Sequence, residues 1–216
     1  MSETDLARLA LRQLEEMGFD CYQEVAHGAH RADIVGVRRG IVCIVECKTA
    51  LSFDVVAQAD DWLPVAHWRF IAVPMARYAG RGRELAYAIC EQRGIGVLEI
   101  SEQHDRVWIR RYPALNRAAK PQRLLDALRP EHKTYAAAGS SGSYWSPWKS
   151  SVQSLVLEVN RKPGRPLRDV IAHIKHHWVS NKSAVSCVSR QIADGAIEGL
   201  RLEKKGRAVL VFPTAK

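Results

Sequence analysis

Residues 41–45 read Ile-Val-Cys-Ile-Val, so an extended chain is apolar on both of its faces here. Successive side chains of a strand point to opposite sides of its sheet. A strand that is apolar on both sides is typical of the middle of a sheet that helices cover on both faces. The segment therefore predicts a sheet sandwiched between helices.

Helix and strand patterns alternate through the first half of the chain. Apolar residues recur at helical spacing from Leu6 to Met17, and Gly18 stands where a helix normally ends. Three β-type segments then predict a meander that ends in a hairpin through residues 38–40. The predicted fold class is mixed α/β, in the order αβββαβαβ, ending near Pro113. After the first helix, strands are predicted at 21–26, 31–37 and 41–49, a helix at 53–63, a strand at 68–73, a helix at 84–92, and strands at 95–100 and 107–111.

The formal net charge of +9 is distributed unevenly along the 216 residues. Residues 1–113 hold 14 Lys and Arg against 16 Asp and Glu, a balance of −2, whereas residues 114–216 hold 18 against 7, a balance of +11. A basic half of this kind indicates contact with a polyanion, and a different task for the other half. Solubility alone is the alternative explanation of the excess.

Composition limits the class of protein. With 47% hydrophobic and 25% charged residues the chain is typical of a soluble globular protein, and no apolar run reaches the ~20 residues that span a bilayer. The N-terminal residues mix acids with bases and lack the apolar core of a secretory signal. Five cysteines without a CxxC pair argue against a disulfide framework or a zinc knuckle. A cytoplasmic protein that does not enter the membrane is expected.

The second half of the chain predicts a linker followed by a small domain. Prolines punctuate residues 114–149, and residues 136–143 are rich in Ala, Gly and Ser, so this segment is predicted to be a partly ordered linker. Residues 150–216 show three helical patterns and a hairpin, which together indicate a winged helix. Those helices are predicted at 150–160, 167–178 and 183–192, and the hairpin spans 200–212.

Two carboxylates and a lysine meet at the end of the predicted hairpin. If the connection takes three or four residues, antiparallel pairing places Asp33 opposite Glu46 or one residue away. Alternation places Glu46 and Lys48 on one face and turns Cys47 towards the core. Adjacent carboxylates repel each other unless a cation lies between them, and oxygen ligands are those that Mg²⁺ and Mn²⁺ prefer. The cluster therefore indicates a site for Mg²⁺ or Mn²⁺.

This cluster resembles the motif of the PD-(D/E)XK nuclease superfamily, which has an aspartate on one strand and Asp/Glu-X-Lys on the next. Here the motif is Ala32-Asp33, twelve intervening residues and Glu46-Cys47-Lys48, with alanine in place of proline. The predicted element order is similar to that family's αβββαβ core, and residues 17–48 look most like junction resolvases and restriction-type nucleases. The resemblance covers about the first half of the chain. It implies a restriction-endonuclease-like mixed sheet flanked by helices, with a small winged-helix domain added.

The resemblance also implies a role for each residue of the motif. Asp33 and Glu46 would bind the metal, and the main-chain carbonyl of Cys47 would complete its shell. Lys48 would contact the scissile phosphate or orient the attacking water. Gln58 is similar to a glutamine that approaches the site in some members, with an exposed polar helix face as the alternative.

Four more residues near the motif are candidates for the site. Some members of the superfamily add a glutamate from the first helix, and Glu3 lies on the inner side of that helix. Glu24, on the first strand, is an alternative to it. His27 and His30 bracket a loop before Asp33 and would contact DNA or a second metal, unless they are simply solvated.

The predicted winged helix offers a second set of candidates, for DNA binding. A winged helix reads DNA with its third helix in the major groove and its hairpin on the backbone. Short hydroxyl side chains beside cations suit contacts to phosphates and base edges. Binding of a protein is the alternative for such a domain. The candidates are Lys182, Ser183, Ser186 and Arg190 in the helix, and Lys204, Lys205 and Arg207 at the hairpin tip.

These observations predict a Mg²⁺- or Mn²⁺-dependent deoxyribonuclease whose basic C-terminal domain holds DNA. The resemblance favours an endonuclease over an exonuclease, and paired cuts in a duplex would favour a homodimer. The alternative is a catalytically silent DNA-binding or regulatory protein that keeps the nuclease fold. The predicted organisation is a nuclease-like domain at 1–113, the linker at 114–149 and the winged-helix-like domain at 150–216.

Overall fold

A computed structural model of the chain describes residues 1–101, 103–134, 136–139, 145–206 and 208–214. The chain divides into two units, Met1–Trp145 and Ser146–Lys216. None of the helices formed by these residues has the length and apolar character needed to cross a lipid bilayer.

Six strands form one mixed sheet in the first unit, in the same order as in the sequence. The first three strands pair antiparallel, the third to fifth pair parallel, and the sixth returns antiparallel to the fifth. The predicted mixed α/β class of this unit is confirmed. The strands are β1 Asp20–His27, β2 His30–Arg38, β3 Ile41–Cys47, β4 Trp68–Pro74, β5 Ile95–Ser101 and β6 Arg106–Arg111.

Helices cover β3 on both faces, as its apolar sequence predicts. Cys43 and Val45 pack with α1, Glu3–Glu16, on one face of the sheet. On the other face Ile44 packs with Trp62, at the end of α2, Phe53–Asp61, while α2 and α3, Arg81–Gln92, pack against the parallel strands β4 and β5. A capping box between Ser2 and Asp5 begins α1, because each side chain accepts a backbone N–H of the other residue.

The hairpin between β2 and β3 is tighter than the sequence analysis assumed. Arg38 pairs with Ile41, so only Arg39 and Gly40 form the connection, rather than three or four residues. Both have positive φ, 47° and 82°, which is the conformation of a two-residue turn that matches the twist of the strands. This turn sets the register of β2 against β3.

Residues 114–134 and 136–139, predicted to be part of a linker, pack onto the first unit. Leu124, in the short helix α4 (Gln122–Ala127), is fully buried in a cluster with Val25 and Trp62. A 3-10 helix at Pro130–Lys133 follows, and Ala138 is 1% exposed. The unit boundary therefore falls between residues 145 and 146 rather than at 113 and 150. Residues 140–143 of the Ala/Gly/Ser stretch lie outside the described part of the chain.

The described residues of the second unit form three helices and a three-stranded sheet of order β7-β9-β8. Apolar residues from all three helices and from the sheet form its core. The helices are α5 Pro147–Arg161, α6 Leu167–His173 and α7 Asn181–Ala193, and the strands are β7 Arg165–Pro166, β8 Leu200–Lys205 and β9 Ala208–Pro213.

The second helix of this unit is shorter than predicted, since it ends at His173 rather than at residue 178. Ile174 is extended, with φ −105° and ψ 151°. The hydroxyl oxygen of Ser151 then accepts the backbone N–H of His177 at 3.1 Å, in place of a helical carbonyl. A tertiary hydrogen bond from α5 thus replaces the last turn of the predicted helix.

Candidate active site

One polar cleft of about 420 Å³ opens in the first unit where β2 and β3 meet α2. It brings together five of the residues that the sequence predicts for the site, Asp33, Glu46, Lys48, Gln58 and His30, and it adds others that are not among those candidates. The lining residues are Ala29, His30, Arg31, Asp33, Glu46, Lys48, Gln58 and Trp62.

Strand pairing places the two motif carboxylates side by side. Ile34 pairs with Val45, so the next position along the same register sets Asp33 opposite Glu46, as predicted. The backbone N–H of Cys47 donates to Oδ2 of Asp33 at 2.7 Å. Asp33 is 7% exposed and Glu46 is 5% exposed. Two nearly buried carboxyl groups therefore share one wall of the cleft.

Lys48 follows directly after β3 and reaches the first helix. Its Nζ lies 3.1 Å from Oε2 of Glu3, and both side chains are 32% exposed. Glu3 is thus the candidate from the first helix that contacts a motif residue. Cys47, between the two charged motif residues, is fully buried and packs on the α1 face, as alternation predicts. Its main-chain carbonyl stays a predicted ligand.

Trp62 ends α2 and holds the second carboxylate. Its indole Nε1–H donates to Oε1 of Glu46 at 2.7 Å, and its ring is 3% exposed. This contact is not among those predicted from the sequence. Gln58 lies four residues earlier, and residues at this spacing share a helix face. That spacing was the available signal that Trp62 and Gln58 face the same cleft.

Glu24 and Arg31 form a further charged pair beside the carboxylates. Glu24 is 1% exposed and adopts φ 53°, which is rare for a residue with a side chain. The pairs Gln23↔Ile34 and Val25↔Ala32 on either side put Glu24 opposite Asp33. Its Oε2 lies 2.8 Å from Nε of Arg31. Arg31 was missed, although it precedes Asp33 by two residues and so shares its strand face.

A chain segment far away in sequence completes this side of the site. The backbone N–H of Gly139 donates to Oε1 of Glu24 at 2.8 Å, and that of Ala138 donates to Gln23 at 2.9 Å. Gly139 has φ 75°, and a Cβ there would lie 2.7 Å from the backbone carbon of Glu3. Only glycine fits between the first helix and Glu24. Gly139 therefore lies against both acidic residues next to the motif, Glu24 and the backbone of Glu3.

The two histidines of the β1–β2 turn lie next to Trp62 rather than next to the carboxylates. The ring of His30 is 5.8 Å from that of Trp62 and that of His27 is 6.4 Å away. His30 lines the cleft, and its Nδ1 lies 3.6 Å from Oδ2 of the half-exposed Asp61. Their contacts place both histidines at the rim of the site.

Burial, hydrogen bonds and neighbouring charges determine the charge state of the cleft. Burial raises the pKa of Asp33, against the opposing effect of the Cys47 amide. Burial and the neighbouring Asp33 raise the pKa of Glu46 to about 8. Burial lowers the pKa of Lys48, but the hydrogen bond to Glu3 and the nearby carboxylates outweigh it and raise that pKa. At neutral pH Lys48 is therefore charged, while Glu46 keeps its proton unless a cation replaces it.

The donor set fits a hard divalent cation in its chemistry. Asp33 and Glu46 supply oxygen atoms, and a cation between them would stabilise their charged forms against the burial that raises both pKa values and against the repulsion by Asp33 that adds to it at Glu46. Within the described part of the chain, no group of three or more His, Cys, Asp or Glu side chains is arranged to hold a metal ion. Any metal here would thus have two carboxylates as its side-chain ligands, with backbone carbonyl or water filling the remaining positions.

In the second unit the predicted DNA-binding residues form an exposed stripe and a hairpin tip. Lys182, Ser186 and Arg190 are exposed at intervals of four along α7, opposite the buried core side of that helix. Ser183 is exposed too, but its hydroxyl donates to the carbonyl of Ser180 at 2.8 Å and belongs to the capping box of α7. Lys204 and Lys205 are exposed at the end of β8, and Arg207 lies outside the described residues.

No protein-family model matches this chain, and neither a curated protein nor a solved structure does. The relationship to the PD-(D/E)XK superfamily therefore stays a resemblance of motif and element order. The function of this chain has to be inferred from the side chains of the cleft and from the basic second unit.

Proposed function

We propose that this chain is a Mg²⁺- or Mn²⁺-dependent DNA nuclease with a restriction-endonuclease-like core in its first unit. The observation that carries the proposal is the convergence of Asp33, Glu46 and Lys48 in one cleft, with the two carboxyls nearly buried. The helix, meander, helix and strand order around them supports the same assignment. The reaction is hydrolysis of a phosphodiester bond.

Each residue of the cleft has a separate task in this reaction. A divalent cation supplies Lewis acidity, which makes water nucleophilic near neutral pH and offsets charge on the phosphate. Asp33 and Glu46 bind that cation, and the Trp62 indole and the Cys47 amide hold their carboxyl groups in place. Lys48 stays protonated and donates to the phosphate oxygens as negative charge develops on them.

The second unit holds the DNA in this proposal, as a winged helix. With the boundary after residue 145, the first unit has 19 basic and 18 acidic residues, and the second has 13 and 5, so the charges are +1 and +8. The exposed stripe of α7 and the lysines of β8 bring part of this excess to one helix face and one hairpin. Such an arrangement supports α7 in the major groove and the hairpin on the backbone.

Incubation with DNA and defined metals tests the nuclease proposal. Purified protein is mixed with plasmid and with single-stranded DNA in Mg²⁺, in Mn²⁺ or in chelator, and the products are separated on gels. We expect cleavage with metal and none with chelator, because the cation supplies the Lewis acidity that the cleft residues lack. The absence of metal-dependent cleavage of either DNA would overturn the proposal.

One observation favours the second candidate function, a catalytically silent DNA-binding or regulatory protein. Two carboxylates and no larger ligand group surround the proposed metal position among the described residues. A protein of this kind would bind DNA with the same affinity in Mg²⁺ and in chelator, and would leave plasmid intact. The cleavage assay therefore separates the two functions.

Replacing Lys204 and Lys205 together by alanine tests the DNA-binding role of the second unit. If both contact phosphates, the slope of log Kd against log salt concentration should fall by about 2, because each lost contact releases about one counterion fewer. The matched control removes the same charge from the end of α5, by Arg161→Ala with Lys162→Ala. An equal slope in the two double variants would contradict a phosphate contact at the hairpin tip.

A further inference from the structure

The loop between β4 and α3 exposes an aromatic ring between arginines. Tyr78 is 81% exposed, and Cζ of Arg77 lies 5.7 Å from its ring centre. Residues 75–83 contain three arginines and no acidic residue. An aromatic side chain with this exposure buries almost none of its apolar surface, so the fold gains little from it.

Arg77 and Arg81 are exposed on either side of Tyr78 in the sequence. Within the described residues no carboxylate lies within ion-pair distance of either one, and both are exposed. Arg83, the third arginine of the segment, differs from them. It is half-buried, and it donates to Glu99 at 2.8 Å and to the carbonyl of Pro74 at 2.8 Å. Arg83 thus holds the loop in place, while the other two cations face solvent.

Sheet topology sets this loop at the edge that carries the cleft. β3 and β4 are parallel, with Cys47 beside Ala72, and the backbone N–H of Lys48 donates to the carbonyl of Ala72 at 3.0 Å. The carboxyl ends of parallel strands lie at one edge of a sheet. The loop after β4 therefore leaves the sheet at the edge where Lys48 follows β3.

We propose that Arg77, Tyr78 and Arg81 form a second DNA contact, in which Tyr78 stacks on an unpaired base and the arginines bind the adjoining phosphates. Every base has a π-face on which an aromatic ring stacks, and in a duplex that face is covered by neighbouring bases. An arginine binds phosphate through its planar fork of donors. The substrate is thus DNA with unpaired nucleotides beside the bond to be cut. The position of this contact beside the cleaved bond rests on the proposed function, whereas the binding of single-stranded DNA by the loop does not.

Binding of single-stranded DNA to the Tyr78→Ala variant tests the inference. The full chain is titrated into a fluorescent oligothymidylate and into a duplex of equal length, in chelator so that no cleavage occurs, and anisotropy gives Kd. We expect about a tenfold weaker affinity for the oligothymidylate and less than about a twofold change for the duplex, because only the unpaired strand offers a base for stacking.

Tyr112→Ala is the matched control for this variant. Tyr112 is 78% exposed and directly follows Arg110 and Arg111, so its local composition is similar. Arg111 pairs with Val97, near the start of β5, so Tyr112 leaves the sheet at the opposite edge. This variant should bind both DNAs with the affinity of the unchanged chain.

A second measurement locates the contact independently of affinity. An oligothymidylate that carries iodouracil is photocrosslinked to the full chain, and the attached peptide is identified by mass spectrometry. The inference expects the label on the peptide that contains Tyr78. Crosslinks that map only to other segments would overturn it.

The outcomes separate this inference from the proposed function. Metal-dependent cleavage with equal single-strand affinity in the Tyr78 and Tyr112 variants would overturn the inference alone. Weaker single-strand binding in a protein that cleaves nothing would support the inference and overturn the nuclease. If Tyr78→Ala weakened the binding of both DNAs equally, the loop would bind phosphates only. If it weakened the binding of neither, the exposed ring would point to a protein partner. Both results contradict stacking.

Discussion

Lys48→Ala is expected to lower the rate of Mg²⁺-dependent DNA cleavage by about 100- to 1,000-fold, the usual cost of removing one donor to developing charge. Lys48 keeps its proton at neutral pH, because Glu3, Asp33 and Glu46 all favour the charged form. An ammonium group at this position offsets charge that grows on the phosphate oxygens. Alanine leaves those oxygens facing water, which stabilises them less.

The same substitution should leave the fold nearly unchanged. The pair of Lys48 with Glu3 is about one-third exposed, and pairs of this kind contribute at most about 1 kcal/mol. The free energy of unfolding, from urea titration, is therefore expected to change by no more than that. Loss of cleavage with retained stability would distinguish chemistry from unfolding.

Lys120→Ala is the control for a general loss of positive charge. Lys120 is exposed, and its backbone N–H donates to the carbonyl of Pro64 at 2.8 Å, a contact that alanine keeps. Cleavage should proceed at the rate of the unchanged chain. A Lys48→Ala protein that cleaves as fast as Lys120→Ala would show that the lysine of the motif takes no part in the reaction.

The pairing of the two motif carboxylates could be predicted from the sequence because it depends on local rules. The alternation of a strand and a short hairpin connection are enough to bring Asp33 near Glu46. The exact register required the conformation of Arg39, which adopts positive φ although it is not glycine. The positive φ of Arg39 allows a two-residue turn, and only a turn of this length places Asp33 directly opposite Glu46.

The surroundings of the carboxylates could not be predicted in the same way. The contact of Gly139 with Glu24 joins residues 115 positions apart, and no local pattern encodes such a return of the chain. Glu24, at φ 53°, also pairs with Arg31. The composition of residues 136–143 predicts a linker, because small residues are common both in linkers and in tightly packed crossings such as that of Gly139.

The end of α6 shows a similar limit in the second unit. Helical spacing continues through residue 178, and local propensity gives no reason to stop earlier. The hydroxyl of Ser151 on α5 provides the backbone of His177 with a tertiary partner, so the chain leaves the helix. Periodicity predicts where a helix is favourable, but a competing tertiary hydrogen bond decides where it ends.

Glu46→Gln is expected to remove a pH dependence of stability that the unchanged chain shows in chelator. The ordinary pKa of this glutamate is 4.5 and burial beside Asp33 raises it to about 8 in the folded protein. Between these values the folded state keeps a proton that the unfolded state has lost, so the free energy of unfolding falls as pH rises. The loss should be complete above the folded pKa and amount to about 5 kcal/mol. A glutamine cannot ionise, and its amide oxygen still accepts from Trp62.

Urea unfolding in chelator at several pH values measures this effect. At about pH 5, where Glu46 is protonated in the folded state, the free energy of unfolding of the variant should equal that of the unchanged chain. At about pH 9 it should exceed that of the unchanged chain by several kcal/mol. Glu15→Gln, at an exposed position of α1, is the control and should follow the profile of the unchanged chain. Parallel profiles for the unchanged chain and Glu46→Gln would show that Glu46 is ionised in the folded state throughout.

Addition of Mg²⁺ to the same samples connects the pH dependence with the proposed site. A cation that binds only the folded state stabilises it by about 2.7 kcal/mol at a concentration of 100 times its Kd. In the unchanged chain this gain should grow as pH rises, because binding replaces the proton of Glu46. In Glu46→Gln it should be nearly absent, since Asp33 alone is left as a charged ligand. If Mg²⁺ stabilises both proteins equally and at every pH, the cation binds elsewhere, and the buried carboxyl pair is not its site.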